Sequence, residues 1–69
     1  MTAREWIDAF AAAVGTEAPD DATIEELLAL ASVAAHGSER TAAPIACWLA
    51  GRIGLAPADA LERARTVAN

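Results

Sequence analysis

Lysine and tyrosine are absent from this 69-residue chain, and cysteine, histidine, methionine and phenylalanine occur once each. Five arginines face ten acidic residues, for a net charge of −5 and a pI near 4.5. Such a chain lacks the cationic surface that neutralising phosphates requires, which excludes nonspecific binding to nucleic acid or anionic membrane and favours a basic ligand or partner patch. A single cysteine, Cys47, excludes an internal disulfide, and nothing points to an oxidising compartment. With one histidine, His36, and no CxxC or HxxxH, a closed zinc site would have to recruit distant carboxylates, so no metal is expected. Neither GxxxxGK[ST] nor GxGxxG occurs, so nucleotide phosphates have no glycine-rich cradle and no cofactor is expected. No run approaches the roughly 18 apolar residues of a membrane span. The N-terminus, Met1-Thr2-Ala3-Arg4-Glu5-Trp6, reads as a helix start rather than a signal peptide, so the expected location is the cytoplasm.

What is present is alanine, twenty of it, within a composition that is 55% hydrophobic. Large apolar side chains are therefore few, the core is narrow, and helices must approach closely to bury enough area. A single domain over residues 1–69 is expected, small enough that a partner or self-association would help its stability. No segment alternates like a strand, and four helical patterns stand between short turn signals. The fold predicted is all-α, a compact four-helix domain with helices over about 3–14, 22–36, 42–53 and 57–68. Thr2 with Glu5 forms a capping box, and Trp6, Ile7, Phe10, Ala13 and Val14 make one stripe up to a stop at Gly15. After the loop containing Pro19, Asp21 or Thr23 caps the second helix, whose apolar arc of Ile24, Leu27, Leu28, Ala31, Ala34 and Ala35, widened by Leu30 and Val33, marks it as central. Gly37 is expected to supply a left-handed stop. The third helix starts at Thr41 with Pro44 in its first turn, and carries Ile45, Leu49 and Ile53 on one face and Ala43, Cys47, Ala50 and Gly51 on the other. Gly54 ends it, and Ala56-Pro57 opens the fourth helix, with Ala60, Leu61, Ala64, Val67 and Ala68 turned inward.

Pairable polar side chains gather at one corner, His36 to Thr41. The N–H groups starting the third helix and the guanidinium of Arg40 could hold an anion there, with His36, Ser38, Glu39 and Thr41 around it. The competing expectation is structural: His36 and Arg40 cap the carbonyls ending the second helix or pair with nearby acids. Ser38 has no orienting acid and no oxyanion loop, and Cys47 lies among small apolar neighbours, so neither reads as a nucleophile and no catalytic residue is assigned. Trp6 and Trp48 are expected in the core, with Trp48 the better candidate for an edge that a partner covers, extended by Leu30 and Val33. Charge is also divided along the chain. Residues 1–39 hold eight acids and Arg4 alone as a base, whereas residues 40–69 hold two acids and four arginines. The halves should attract, within one molecule or head-to-tail between two.

The run from Ala31 through His36, Arg40 and Ala43-Pro44 to Ile45, followed by Leu49-Ala50-Gly51 and preceded by the tryptophan-bearing first helix, resembles a small actinobacterial domain of unknown function. That domain occurs alone and as the C-terminal extension of molybdenum cofactor guanylyltransferase-like proteins. The resemblance spans nearly the whole chain and implies a link to molybdopterin dinucleotide synthesis, with the nucleotide chemistry residing in another polypeptide. The expected role is a non-catalytic accessory or protein-interaction module, acting on a protein partner or by self-association. The alternative is a binder of a small anion, phosphate or pterin phosphate, at the corner.

Overall fold

The starts of the first two helices and the ends of the first three are places where a side chain or a glycine turn satisfies backbone groups left over by the α-helical ladder. The computed structural model describes residues 1–67. Helix α1 is Ala3–Ala13, α2 Asp21–Gly37, α3 Ala42–Arg52 and α4 Pro57–Val67. The all-α four-helix fold is therefore as predicted, with ends shifted by a residue or so. The extension of α4 to Ala68 lies outside the described residues.

At the start of α1, Thr2 Oγ1 accepts from the Glu5 N–H at 3.1 Å while Glu5 Oε1 accepts from the Thr2 N–H at 2.7 Å, the predicted capping box. Helix α2 departs from expectation: its cap is Asp20, whose carboxylate accepts from the Thr23 N–H at 2.8 Å, and not Asp21 or Thr23. Asp20 follows Pro19 in an extended conformation and is the first short acceptor able to reach back to the helix start. Gly15 and Gly54, at φ 82° and 69°, both close Schellman motifs. Thr16 N–H reaches Ala11 O and Gly15 N–H reaches Ala12 O after α1; Leu55 N–H reaches Ala50 O and Gly54 N–H reaches Gly51 O after α3.

Gly37, expected to be a left-handed stop, is instead the last residue of α2, and the chain turns away at Ser38 with φ −151°. Two side chains replace the glycine turn. Ser38 Oγ donates to Ala34 O at 2.8 Å, and His36 Nδ1 lies 2.9 Å from Ser32 O. A carbonyl can only accept, so this contact is a hydrogen bond in the forms of the ring that carry a proton on Nδ1.

Helix α2 is the spine: α3 and α4 both pack along it, and no other helix pair meets to a comparable extent. Leu30 sits where the three converge, 3% exposed, against Ala50 of α3 and Ala60 of α4, with Cys47, Leu55 and Ala64 around them. Burying one leucine this fully contributes about 1.5–3 kcal/mol. The alanines opposite matter through their smallness, since they let the helix axes close on it. Leu30 thus belongs to the core and not to the outer surface predicted for it. Leu28 and Val67, expected inward, face solvent. Helix α1 stands apart. Its Arg4 bonds Asp21 at the start of α2 and also Asp8, but α1 packs against no other helix as extensively as α3 and α4 pack against α2.

Candidate interaction surface

The His36–Thr41 corner is built from the end of α2 and the approach to α3, and its polar groups satisfy one another. His36, one of the two residues named by the capping alternative, contacts an α2 carbonyl, Arg40 does not, Ser38 donates to another, and Ser32 Oγ adds a 3.0 Å contact to the same His36 nitrogen. Thr41 is the N-cap by position, yet it is helical at φ −66°, ψ −17° and makes no capping bond. The donors supposed to greet an anion are already used. Ala42 N–H bonds Glu39 O at 2.9 Å and Ala43 N–H bonds Arg40 O at 3.2 Å, and Pro44 has no N–H to offer. The hollow beside the corner, about 620 Å³, is lined by Ser38, Glu39 and Thr41 together with Ala42, Ile45, Ala46 and Leu49. Neither His36 nor Arg40 lines it, and Glu39 gives it the charge an anion avoids. Arg40 itself is exposed and forms no ion pair among the described residues.

The carboxylates whose acidity is shifted lie elsewhere. The Thr2 backbone and hydroxyl hydrogen bonds hold Glu5 below its ordinary value, and bonds from Thr23 do the same for Asp20. Both shifts serve helix starts. Cys47 is half-buried, its Sγ 3.9 Å from Leu27 O, which is the packed thiol expected.

Unmet apolar surface is concentrated on α1 and α3. Helix α3 turns its small residues inward and its large ones outward: Ala50 is buried, Ala43, Ala46 and Cys47 are half-buried, and Ile45, Trp48, Leu49 and Ile53 are exposed. Trp48 is 59% exposed, an edge residue as its alternative reading had it, with the Arg52 guanidinium 5.1 Å from its ring centroid. Trp6, expected in the core, is 55% exposed. It stacks on Phe10 at 5.0 Å and 14°, and these two with Val14 form an outward stripe, while the edge α1 turns inward is Ile7 and Ala11. Val33 is half-buried, at the rim of an apolar groove between α3 and α4. The sequence signal for this arrangement was the alanine in each contact face, Ala11, Ala50 and Ala60, because close-packed helices bury small residues and expel large ones.

The chain's accessible surface, 5198 Å², exceeds by roughly 1,100 Å² the value of roughly 4,100 Å² that compact monomers of 7.1 kDa present. Its radius of gyration, 12.5 Å, likewise exceeds the roughly 11 Å of a compact domain this long. That excess is total surface, and Trp6, Phe10, Val14, Ile45, Trp48, Leu49 and Ile53, each more than half exposed, contribute to it.

The chain belongs to the family described as a domain of unknown function, DUF6457. The family's sequence model matches residues 1–69, the whole chain. No curated protein and no solved structure matches it. Membership in DUF6457 assigns no activity. Among the described residues, no group of three or more His, Cys, Asp or Glu side chains is placed to hold a metal ion, and no helix is long and apolar enough to cross a membrane.

Proposed function

We propose that this DUF6457 chain is a non-catalytic accessory module that works in the cytoplasm by covering its exposed α3 face with a protein partner. The observation that carries the reading is the inverted α3, with Ile45, Trp48 and Leu49 outward and alanines inward. An aromatic anchor amid aliphatic neighbours, rimmed by Arg52, has the composition of an interface centre. The resemblance of the His36–Pro44 run to the extension found on molybdenum cofactor guanylyltransferase-like proteins supports such an enzyme as the partner, with the nucleotide chemistry on its side.

Titration of the purified chain into a molybdenum cofactor guanylyltransferase, followed by calorimetry, tests this. Binding is expected, and Trp48→Asp should weaken it at least tenfold, an anchor's loss of more than about 1.4 kcal/mol. Absence of binding removes the molybdenum link, and binding indifferent to Trp48→Asp removes this face from it. The alternative, a phosphate or pterin phosphate held at the corner, keeps one supporting observation, the exposed Arg40 without an ion pair. Phosphate-dependent chemical-shift changes confined to residues 38–43, lost in Arg40→Ala, would support it.

A further inference from the structure

We infer that the groove between α3 and α4 receives the α1 helix of a second copy of this chain, and that the exchange is reciprocal, giving a two-fold symmetric dimer.

The groove is continuous. One lobe of about 490 Å³ and an adjoining one of about 320 Å³ share Ala46, Leu49, Ala64 and Val67 as walls, with Val33 and Leu30 contributing from α2 beneath. Its lining is largely apolar, with Ser38 in one lobe and Arg63 in the other, so it selects an apolar helix face over a polar ligand. Such a face exists on the same chain: Trp6, Phe10 and Val14 recur at the four-residue spacing that lays side chains along one side of a helix.

The chain does not fill its own groove. Arg4 ties the start of α1 to Asp21, and Trp6 lies only two residues further on. The Val33–Ala34 end of the groove is about 20 Å along α2 from Asp21 at 1.5 Å per residue. No α1 residue lines either lobe. A second copy faces no such tether.

Charge favours the same arrangement. Residues 1–20 carry one arginine against four acids, a net −3, whereas residues 40–67 carry four arginines against two acids, a net +2. Arg52 and Arg63 form no ion pair among the described residues, and neither do Glu5 and Glu17 on the α1 side. Area points the same way. Specific interfaces remove about 1,200–2,000 Å² in total, two reciprocal contacts bury twice what one does, and each copy carries roughly 1,100 Å² more surface than a compact monomer of its mass. Reciprocity also closes the assembly, since a one-way contact of α1 with groove would propagate into a filament.

This inference does not rest on the guanylyltransferase reading. A chain that is monomeric alone but binds that enzyme would defeat only the dimer, and a dimer that ignores the enzyme would defeat only the partner. The test is sedimentation equilibrium of the full chain at about 100 µM, a concentration at which a micromolar dimer is nearly complete, with directed cross-linking beside it. The expected mass is twice 7.1 kDa, and Phe10→Asp and Leu49→Asp should each raise the dimer dissociation constant at least tenfold. In a Cys47→Ser background, a Phe10→Cys copy mixed with an Ala64→Cys copy should form the mixed disulfide. A monomeric wild type overturns the inference and leaves the groove to another protein. A Phe10→Cys copy that links to itself in preference also overturns it, because α1 would then pair with α1. The wild-type mass decides the matter even if a variant fails to fold.

Discussion

The two sides of α3 carry opposite kinds of apolar residue. Inward it shows Ala43, Ala46, Cys47 and Ala50; outward it shows Ile45, Trp48, Leu49 and Ile53. A helix of an isolated domain turns its large apolar residues to its own core, because burial per residue is greatest there. Here the core instead takes the residues that permit close approach and leaves the large ones exposed. The inner side holds the fold together, and the outer side is the one proposed above for contact.

Leu30→Ala should break this division most severely. Leu30 is the one large side chain that is buried at the meeting of three helices among the described residues, opposite alanines that cannot collapse into the space it leaves. A loss of about 2–5 kcal/mol is expected. In a domain of this size that is most of the available stability. Urea unfolding followed by circular dichroism measures it, and a loss below about 1 kcal/mol would place the core elsewhere.

How far the sequence reveals this arrangement depends on which residues are asked. The capping box of Thr2 and Glu5, the glycine stops at Gly15 and Gly54 and the central place of α2 are legible, because each follows from bonding or periodicity within a few residues. Leu30 is misplaced by the same logic. Periodicity gives α2 a broad apolar arc but does not say which part of it meets α3 and α4, and that choice belongs to the packing of other helices. Trp6 is misplaced because a bulky aromatic is assigned to the core when the chain is imagined alone. The corner misleads for a different reason. Its polar residues stand out by their rarity, yet His36 and Ser38 are spent on α2 carbonyls, work that Gly37 would have done had it turned left-handed. Conspicuous residues marked a helix end, while the surface lay among ordinary aliphatics.

The helix starts offer a smaller perturbation that sharpens the same comparison, since caps hold elements in place without belonging to either side. Asp20→Ala removes the acceptor for the Thr23 N–H and should lower Tm by a few degrees. The hydrogen bonds from Thr23 depress the Asp20 carboxyl below its ordinary 3.8. A depressed folded-state value means that the stabilisation is complete above pH 3.8 and is lost as pH falls through the lower, folded-state value. Glu5 adds a second such contribution from an ordinary 4.5. Thermal melts from pH 6 to pH 2 should therefore show stability falling on the acid side, more gently in Asp20→Ala than in the wild type. Identical acid limbs in the two would show that the bond does not persist in solution.

The smallest effect is expected on the outer side of α3, and it is the most informative about the division. Ile53 is 70% exposed at the end of the helix, so Ile53→Ser removes little that the monomer buries. Its stability in dilute solution should stay within about 0.5 kcal/mol of the wild type. At high concentration the two proteins should diverge, because a side chain that bounds the groove stabilises the fold only through what fills it, and such linkage grows with the concentration of the partner. Melts of both proteins across a hundredfold range of concentration separate the two effects. A wild-type Tm that rises with concentration and a flatter response in Ile53→Ser would tie the outward face to assembly. Equal losses at every concentration would make Ile53 a contributor to the monomer's own packing, and the contrast between the two sides of α3 would then be one of exposure alone.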